Sequence, residues 1–256
     1  MTIKPLSIDG CRILADTLGN LPDMVNDVHL LRRGLCRAYI MGSPSHFKGA
    51  IIQADIEPNE LSGHGSSSEA LWELLKRLEC WDCISVPSEY AITLGKTIEK
   101  EMGIRVKYID DICHVLETPV VGFQNDDVRM LSSTDLELLR SAPTVFREYN
   151  LFGSPEKLLS DSFVAGAIVS NRMVSIACMT SCNDNYADIG VGTLKKWRGR
   201  GYATAGACLV VKRVQEMGYI PVWSTGELNI ASLQVARKLG FTEVSRRTYV
   251  VLNKQS

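Results

Sequence analysis

The chain has 256 residues, of which 45% are hydrophobic and 22% charged, and its formal net charge is −1. This length and apolar content predict one large folded domain or two small ones, and the near-neutral charge argues against a nucleic-acid-binding or membrane-surface protein. The first residues, MTIKPLSIDG, lack the pattern of a signal peptide, and no apolar run approaches the ~18 residues of a membrane-spanning helix. We therefore expect a cytoplasmic protein.

The first 120 residues alternate between strand-like and helix-like patterns. The segments CRAYIMG and KGAIIQAD predict a β-hairpin, and NELSGHGSSS predicts a glycine-rich turn after it. A helix, a strand, a second helix and a long strand are then predicted, in that order, over EALWELLKRLE, CISVP, SEYAITLGKTIEKEMG and IRVKYIDDICHVLE.

The second half shows a similar order from about residue 127. VRMLSSTDLELLRS predicts a strand with a helix behind it, and three antiparallel strands with tight polar turns are then predicted over SFVAGAIVS, MVSIACMTS and YADIGVGTL. A helix follows up to Gly218, then the short strand YIPVWS. The next helix begins after the N-cap Asn229 and ends at Gly240, and FTEVSRRTYVVLNK closes the chain as a strand.

The two halves also match in spacing. Gly199 and Gly201 lie 136 residues after Gly63 and Gly65, and KLGF at 238–241 lies 137 residues after EMGI at 101–104. We interpret this as a duplication, which predicts an α/β (α+β) fold of two tandem mixed-sheet domains, residues 1–122 and 123–256. Two unrelated α/β domains of similar size are the alternative.

The eight cysteines are best interpreted as small buried residues of a reduced protein. The pairs Cys80–Cys83 and Cys178–Cys182 have the spacing of zinc ligands, but the second pair lies in a predicted strand and no histidine flanks either pair. No metal is therefore expected.

The stretch WRGRGYATAG, residues 197–206, predicts an anion-binding helix start. The first N–H groups of a helix lack intrahelical partners, glycines at 199 and 201 leave room for a phosphate, and Arg198 and Arg200 add positive charge. The phosphate-loop pattern fails because Tyr90 replaces its first glycine, and the dinucleotide pattern fails because Thr204 replaces its third. A plain turn would not explain arginines on both sides of a glycine.

Residues 198–203, RGRGYA, fit the [QR]-x-x-G-x-[GA] pattern of the GNAT N-acetyltransferases. With IGVGTL before it and N-x-x-S and KLGF after it, the chain resembles that family over roughly residues 127–256, and a two-domain bacterial branch in particular. The resemblance implies that the stretch holds the pyrophosphate of acetyl-coenzyme A.

The resemblance also assigns roles to residues of this chain. It implies that backbone groups of Val191 and Thr193 contact the pantetheine arm and that the Thr193 N–H polarises the thioester carbonyl. The pyrophosphate would be bound by main-chain N–H groups of Arg198, Gly199, Arg200, Gly201, Tyr202, Ala203 and Thr204. Asn229 would cap its helix and contact the coenzyme, or only cap the helix.

The catalytic groups stay open at this point. Many family members carry a tyrosine seven residues after the asparagine, as an acid for the leaving thiolate, but this chain has Ala236. Either no strong acid is needed, or Ser232, Cys208 or Tyr202 serves; Ser232 is also a coenzyme-binding candidate, or it merely supports the helix start. Asp188 and Glu227 are the candidate general bases.

The first copy is expected to be degenerate. Ser62 and His64 replace the arginines, and a capping box of Ser66 and Glu69 would place a carboxylate where a phosphate should bind. Gly201→Ala is therefore expected to weaken coenzyme binding with little effect on folding, whereas Gly65→Ala is expected to leave binding unchanged.

The resemblance implies an acyltransferase that moves acetyl from acetyl-coenzyme A to a primary amine of a small molecule or peptide by direct attack. Because Ala236 replaces the tyrosine, a non-catalytic coenzyme-A-binding sensor or interaction module is the alternative. RNA binding is disfavoured by the overall charge, although four arginines (Arg198, Arg200, Arg246 and Arg247) would suit it. A mildly acidic cleft that would suit a cationic amine is expected from Asp126, Asp127, Glu148 and Asp184. Neither the acceptor nor the oligomeric state follows from the sequence.

Overall fold

The computed structural model describes residues 3–147 and 154–253, in which one mixed sheet of eleven strands runs through both halves of the chain. In chain order the strands are β1 (Cys36–Ser43), β2 (His46–Ala54), β3 (Glu60–Gly65), β4 (Cys83–Pro87), β5 (Val106–Val115), β6 (Val128–Met130), β7 (Val164–Val169), β8 (Arg172–Cys182), β9 (Tyr186–Thr193), β10 (Ile220–Gly226) and β11 (Thr242–Leu252). Their order across the sheet is β1-β2-β3-β4-β11-β5-β10-β9-β8-β7-β6.

Helices cover both faces of this sheet. They are α1 (Ile8–Leu18), α2 (Val25–Arg33), α3 (Ser68–Leu75), α4 (Ser88–Met102), α5 (Leu136–Arg140), α6 (Thr144–Arg147), α7 (Pro155–Asp161), α8 (Tyr202–Glu216) and α9 (Ile230–Leu239). Alternation along β2 shows the two layers: Ile51 packs into the core formed with α3 and α4, whereas Ala50 and Ile52 pack into the core formed with α1 and α2.

The two halves repeat one topology. β1, β2 and β3 are antiparallel and β3 is parallel to β4; likewise β7, β8 and β9 are antiparallel and β9 is parallel to β10. In each half a helix joins the parallel strands, a second helix follows, and a long strand ends the unit. The tandem α/β arrangement predicted from the sequence is confirmed.

The halves are joined by an exchange of their last strands. β5 pairs with β10 of the second half, β11 pairs with β4 of the first half, and β5 and β11 pair with each other at the centre. A cut at residue 122 would therefore separate strands that share a sheet. That residues 1–122 and 123–256 are the two copies of a duplicated unit stays a prediction.

One part of the predicted duplication is wrong in detail. NELSGHGSSS is not a turn, because Gly63 and Gly65 lie in β3, and Ser66 alone separates that strand from the N-cap of α3. Gly199 and Gly201 instead lie in and at the end of a longer connection, residues 194–200, between β9 and α8. The 136-residue spacing of these glycines therefore joins non-equivalent positions.

The other spacing joins true equivalents. Gly103 and Gly240 both follow a helix in the left-handed conformation, which glycine adopts without strain, and they end α4 and α9 respectively.

Helices α1, α2, α6 and α7 were not predicted from the sequence. The pattern of α2 is weak because Asp27 and His29 are buried on it beside its apolar residues. α2 contacts β1 of its own half and also β8 and β9 of the second half, where the backbone N–H of Cys182 donates to His29 Nδ1 (3.2 Å). The N-terminal half thus covers part of the second half's sheet.

The cysteines mostly match the expected packing role. Cys11, Cys113, Cys178 and Cys208 are buried, but Cys80 is exposed, and no disulfide joins any of the eight in the described chain. Within residues 3–147 and 154–253, no three or more His, Cys, Asp or Glu side chains are grouped as a metal site. None of the helices described is both long and apolar enough to cross a membrane.

Candidate active site

The candidate site begins where two neighbouring strands separate. β9 and β10 pair in parallel only from Tyr186 to Asp188, opposite Ile220 to Val222, although β9 continues to Thr193 and β10 to Gly226. The N–H of Leu194 donates to the Val174 carbonyl on β8 (3.0 Å). Because N–H directions alternate along a strand, Thr193 and Val191 direct theirs away from β8, into the gap.

The glycine connection lies at the wide end of this gap. Gly199 and Gly201 have φ of +78° and +80°, and a Cβ added at either would have no atom within 4 Å. Gly201 is the N-cap of α8 and no described side chain caps that helix. The first N–H groups of α8, at Tyr202, Ala203 and Thr204, are therefore free to bind an anion.

Basic side chains surround this helix start. The exposed Arg200 lies over the Trp197 ring, 4.7 Å from its centroid. Arg198 Nε donates to the Thr193 carbonyl (3.2 Å), which ties the connection back to β9. Lys195 and Lys196, also exposed, add two cations directly before residues 197–206, and neither was among the residues predicted from the sequence.

Tyr202 supports the connection from the protein side. Its hydroxyl is buried and donates to Asp127 (3.0 Å), so only its backbone N–H remains as a coenzyme contact. Asn125 Nδ2 donates to the Arg200 carbonyl (3.3 Å) from the same segment. The chain between the halves thus helps to hold the glycine connection in place.

Asp188 lies at the narrow end of the gap, at the last paired position of β9. Its side chain is 8% exposed, Thr180 Oγ1 donates to Oδ2, and Oδ1 has no hydrogen-bond partner in the described chain. Burial raises the pKa of this carboxyl to about 6, the Thr180 hydrogen bond opposes the rise, and the nearby charge of Asp111 adds to it. A carboxylate with this pKa is ionised at neutral pH and suited to accept a proton.

Glu227, the other candidate base, is engaged in holding strands together. Its backbone N–H donates to the Asp110 carbonyl (2.8 Å), and its Oε1 accepts from the Asp110 N–H (3.3 Å). This pairing fixes the end of β10 against β5. Of the two carboxylates, Asp188 is the more deeply buried.

Asn229 and Ser232 form the start of α9. Asn229 Oδ1 accepts from the Ser232 N–H (3.2 Å), which is the predicted cap. The Ser232 hydroxyl oxygen accepts from Trp223 Nε1 (2.9 Å), and Trp223 is buried in the core. Both side chains therefore have a structural role in addition to the functional role implied by the resemblance.

Neither the position of the family's tyrosine nor Cys208 offers an acid to the gap between β9 and β10. Ala236, at the position of the family's tyrosine, is wholly buried in the core of the second half. Cys208 is buried against the segment between the halves, where its thiol donates to the Val121 carbonyl (3.4 Å) and accepts from the Phe123 N–H (3.4 Å).

The corresponding gap of the first half is filled. β3 and β4 pair only from Glu60 to Ser62, opposite Cys83 to Ser85. Beyond that point Arg247 of β11 enters, donating from Nη2 to the carbonyls of Gly63 (2.7 Å) and Ser85 (3.0 Å) and from Nε to Ser85 Oγ (3.0 Å). The Arg247 side chain thus hydrogen-bonds the carbonyls of Gly63 and Ser85, which the gap would otherwise leave without a partner.

The predicted capping box of α3 is shifted by one residue. Ser67, not Ser66, is the N-cap; its Oγ accepts from the Ala70 N–H (3.2 Å) and donates to Glu69 (2.7 Å). Gly65 has φ of +131°, and a Cβ there would lie 2.3 Å from the Lys48 carbonyl oxygen. Gly65→Ala would therefore disturb the fold and is a poor control, and its expected lack of effect on coenzyme binding stays a prediction.

The described residues do not form the acidic cleft expected from the sequence. Asp127 holds Tyr202, Asp184 pairs with Arg32 (2.8 Å), Asp126 is exposed, and Glu148 lies outside the described residues. No local pattern pointed to Asp111, and Arg247 was considered only for RNA binding, because only the exchange of β5 and β11 brings them beside the two gaps.

Comparisons with known proteins agree with this geometry. A GCN5-related N-acetyltransferase-like protein from Streptococcus suis 89/1591 has a TM-score of 0.70 at 17% identity, with 96% of this chain and 99% of that chain covered. A tandem GNAT protein from the clavulanic acid biosynthesis pathway has a TM-score of 0.57 at 12% identity, with 98% of each chain covered. At these identities the likeness shows the fold.

Sequence comparison gives the family. The Bacillus subtilis (strain 168) protein "Uncharacterized N-acetyltransferase YdfB" is 29% identical over 103 residues, which are 40% of this chain and 39% of that relative. The match thus spans about two fifths of the relative's length. The family model described as GNAT acetyltransferase matches residues 123–251, half of the chain, and the chain belongs to that family.

Proposed function

We propose that this protein is an N-acetyltransferase that moves acetyl from acetyl-coenzyme A to a primary amine of a small molecule or peptide by direct attack of the amine. The observation that carries the proposal is the gap between β9 and β10, with a buried carboxylate at one end and an uncapped, glycine-led helix start at the other. An anion site and a proton acceptor at the two ends of one gap are what this transfer requires.

The gap between β9 and β10 and the start of α8 together fit the coenzyme. The free N–H groups at the start of α8, the open space beside Gly199 and Gly201, and the surrounding arginines and lysines would hold the pyrophosphate. Backbone groups of Val191 and Thr193 would hold the pantetheine arm along β9. Bound there, acetyl-coenzyme A would supply an activated acetyl thioester.

The spacing along β9 refines the roles of its residues. Thr193 lies five residues beyond Asp188, roughly 16 Å along an extended strand, which is too far for both groups to act on one acetyl group. Val191 lies about 10 Å from Asp188 by the same rise per residue, a span that a carbonyl, an attacking amine and a hydrogen bond at each end can bridge. We therefore assign the thioester carbonyl to the Val191 N–H and keep Thr193 as a contact of the arm.

Asp188 is the proposed general base. An alkylammonium must lose a proton before its nitrogen can attack, and the Oδ1 atom, which accepts no hydrogen bond from the described chain, is available to receive it. Glu227 is the weaker candidate because it is less buried and its carboxylate helps to hold the end of β10 against β5.

The leaving thiolate needs little help, because a thiol pKa near 8.5 makes it a moderate leaving group. Ser232 is the polar group on the α9 face that stands one turn before Ala236, and its hydroxyl proton is not committed by its contact with Trp223. Asn229 would contact the coenzyme arm from the cap of the same helix.

The proposal is tested by binding and turnover measured separately. Calorimetry should show acetyl-coenzyme A binding, and ligand at ~100 times its dissociation constant should raise the unfolding free energy by about 2.7 kcal/mol. A panel of primary amines should then yield an acetylated product. No binding at millimolar coenzyme would refute the proposal, and binding without turnover of any amine would favour a non-catalytic coenzyme-A sensor.

A further inference from the structure

A cavity of about 160 Å³ lies on the sheet face covered by α2, and the proposed transfer leaves it unassigned. It lies between the turn that leads into α2 and the central strands, and the N-terminal half supplies most of its wall. Its carboxylates are Asp23, Asp27, Glu57, Glu60 and Asp111. Among the described residues that line the cavity, Arg247 is the one with a basic side chain.

The negative charge of this cavity is poorly compensated. Arg247 is turned toward the Gly63 and Ser85 carbonyls, and in the described chain Asp23, Glu57, Glu60 and Asp111 form no ion pair with a lysine or arginine. Burial and the neighbouring Glu60 charge raise the pKa of Asp111 to about 6, although Arg247 opposes the rise. Burial and Glu60 also raise the pKa of Glu57.

Two of the five carboxylates do have neutral or hydroxyl partners. Asp27 accepts from Ser62 (2.6 Å) and lies 2.7 Å from His64 Nε2, and Glu60 accepts from the Tyr249 hydroxyl (2.6 Å). Burial and the Arg247 charge lower the pKa of His64, so it adds no full positive charge at neutral pH. A cationic ligand would supply the missing counter-charge.

The second, independent observation is the orientation of Asp188. Val222 of β10 pairs with Asp188 on one side and with Val115 of β5 on the other, so these residues share a face of the sheet. Ser224, two residues after Val222, lines the cavity from that same face. The Asp188 side chain therefore lies on the same face of the sheet as the cavity, on the strand next to β10, whose Ser224 lines the cavity. Its Oδ1 has no hydrogen-bond partner in the described chain, and the residue is 8% exposed.

We propose that this cavity is the acceptor site and that the acceptor is a small aliphatic amine with a second positive charge, a diamine or short polyamine. This inference rests on the proposed acetyl transfer. One ammonium lies among the carboxylates of the N-terminal half while the other end reaches Asp188, which takes its proton before attack. The volume, well below the 300–1,000 Å³ of pockets for drug-sized ligands, fits a short chain.

The test compares 1,4-diaminobutane with butylamine, which has the same chain but one charge. Calorimetry should show at least tenfold tighter binding of the diamine, and kcat/KM for acetylation should favour it by a similar factor. Glu57→Gln and Asp111→Asn should each reduce the diamine preference at least fivefold through KM, with acetyl-coenzyme A affinity unchanged. Asp126→Asn, an exposed carboxylate away from the cavity, should change neither, and melting temperatures check that every variant folds.

Each outcome decides between the two proposals. Equal binding and turnover of the two amines, or a preference that survives both substitutions, overturns the diamine site and leaves acetyl transfer intact. Selective diamine binding that depends on Glu57 and Asp111, without acetylation of any amine, supports the cation site and overturns the transferase proposal.

Discussion

Asp111 of β5 lies directly opposite Arg247 of β11 in the antiparallel pair at the centre of the sheet, yet the two side chains are not within ion-pair distance. Arg247 reaches instead into the gap of the first half, toward Gly63 and Ser85. β5 and β11 are the final strands of the two repeats. In the first half, the last strand that borders the gap carries Arg247, which fills it. In the second half, the last strand that borders the gap carries Asp111, and the gap stays open.

Arg247→Met should destabilise the protein by about 3 kcal/mol. The change leaves the carbonyls of Gly63 and Ser85 without their donor in a buried place, and each such loss costs ~1–3 kcal/mol. Urea denaturation measures the difference. Arg246→Met is the matched control, because that neighbouring arginine makes a half-exposed ion pair with Glu243, typically worth under ~1 kcal/mol. Equal effects of the two changes would show that the filling of the gap is not structural.

Gly201→Ala should weaken acetyl-coenzyme A binding at least tenfold, about 1.4 kcal/mol. Its Cβ would stand in open space where the proposed phosphate lies. The sequence-based expectation of unchanged folding held only for helical backbone angles, but Gly201 is left-handed, so alanine should also cost about 1 kcal/mol of stability.

The matched control for that variant is Gly103→Ala. Gly103 has φ of +68° and likewise has no atom within 4 Å of an added Cβ, but it ends α4 in the first half. It should lose a similar amount of stability and keep full coenzyme affinity. Loss of affinity in both variants would attribute the effect of Gly201→Ala to backbone strain alone.

The sequence was informative where the determinants are local. The strands of the second half, its helices α5, α8 and α9, the cap at Asn229 and the glycine-led start of α8 follow from periodicity and capping residues that are adjacent in the chain. The α2 helix was missed because its buried polar residues, Asp27 and His29, are satisfied by distant strands.

The acceptor side of the site depends on long-range pairing and could not be predicted. Asp111 reaches the second half only because β5 crosses into its sheet, and Asp23 and Asp27 reach the cavity only because α2 spans both halves. No local pattern in the sequence records an exchange of strands between repeats. The acidic cleft was consequently expected from residues of the second half itself, of which Asp127 and Asp184 serve other contacts in the fold.

Asp188→Asn should lower kcat/KM at least about 100-fold, the lower end of what a positioned general base contributes. In the wild type, kcat/KM should rise with pH through about 6, the pKa of the buried carboxyl, and the variant should lack this rise. Acetyl-coenzyme A affinity should stay unchanged. If Glu227→Gln removes the rise and Asp188→Asn retains it, the base is Glu227.

The same substitution should make the protein more stable at neutral pH. The folded pKa of Asp188, about 6, lies above its ordinary value of 3.8, so between these values the folded state holds more protons than the unfolded state and stability falls as pH rises. Above pH 6 the ionised, buried carboxylate thus costs about 2–3 kcal/mol, which Asn, isosteric and uncharged, does not incur. Urea unfolding at pH 5 and pH 8 should show a gap between Asp188→Asn and wild type that widens at the higher pH. A variant that is inactive yet more stable would show that the buried charge of Asp188 is retained for catalysis at a cost in stability. Equal stability of variant and wild type at pH 5 and at pH 8 would mean that Asp188 is better solvated than its burial indicates.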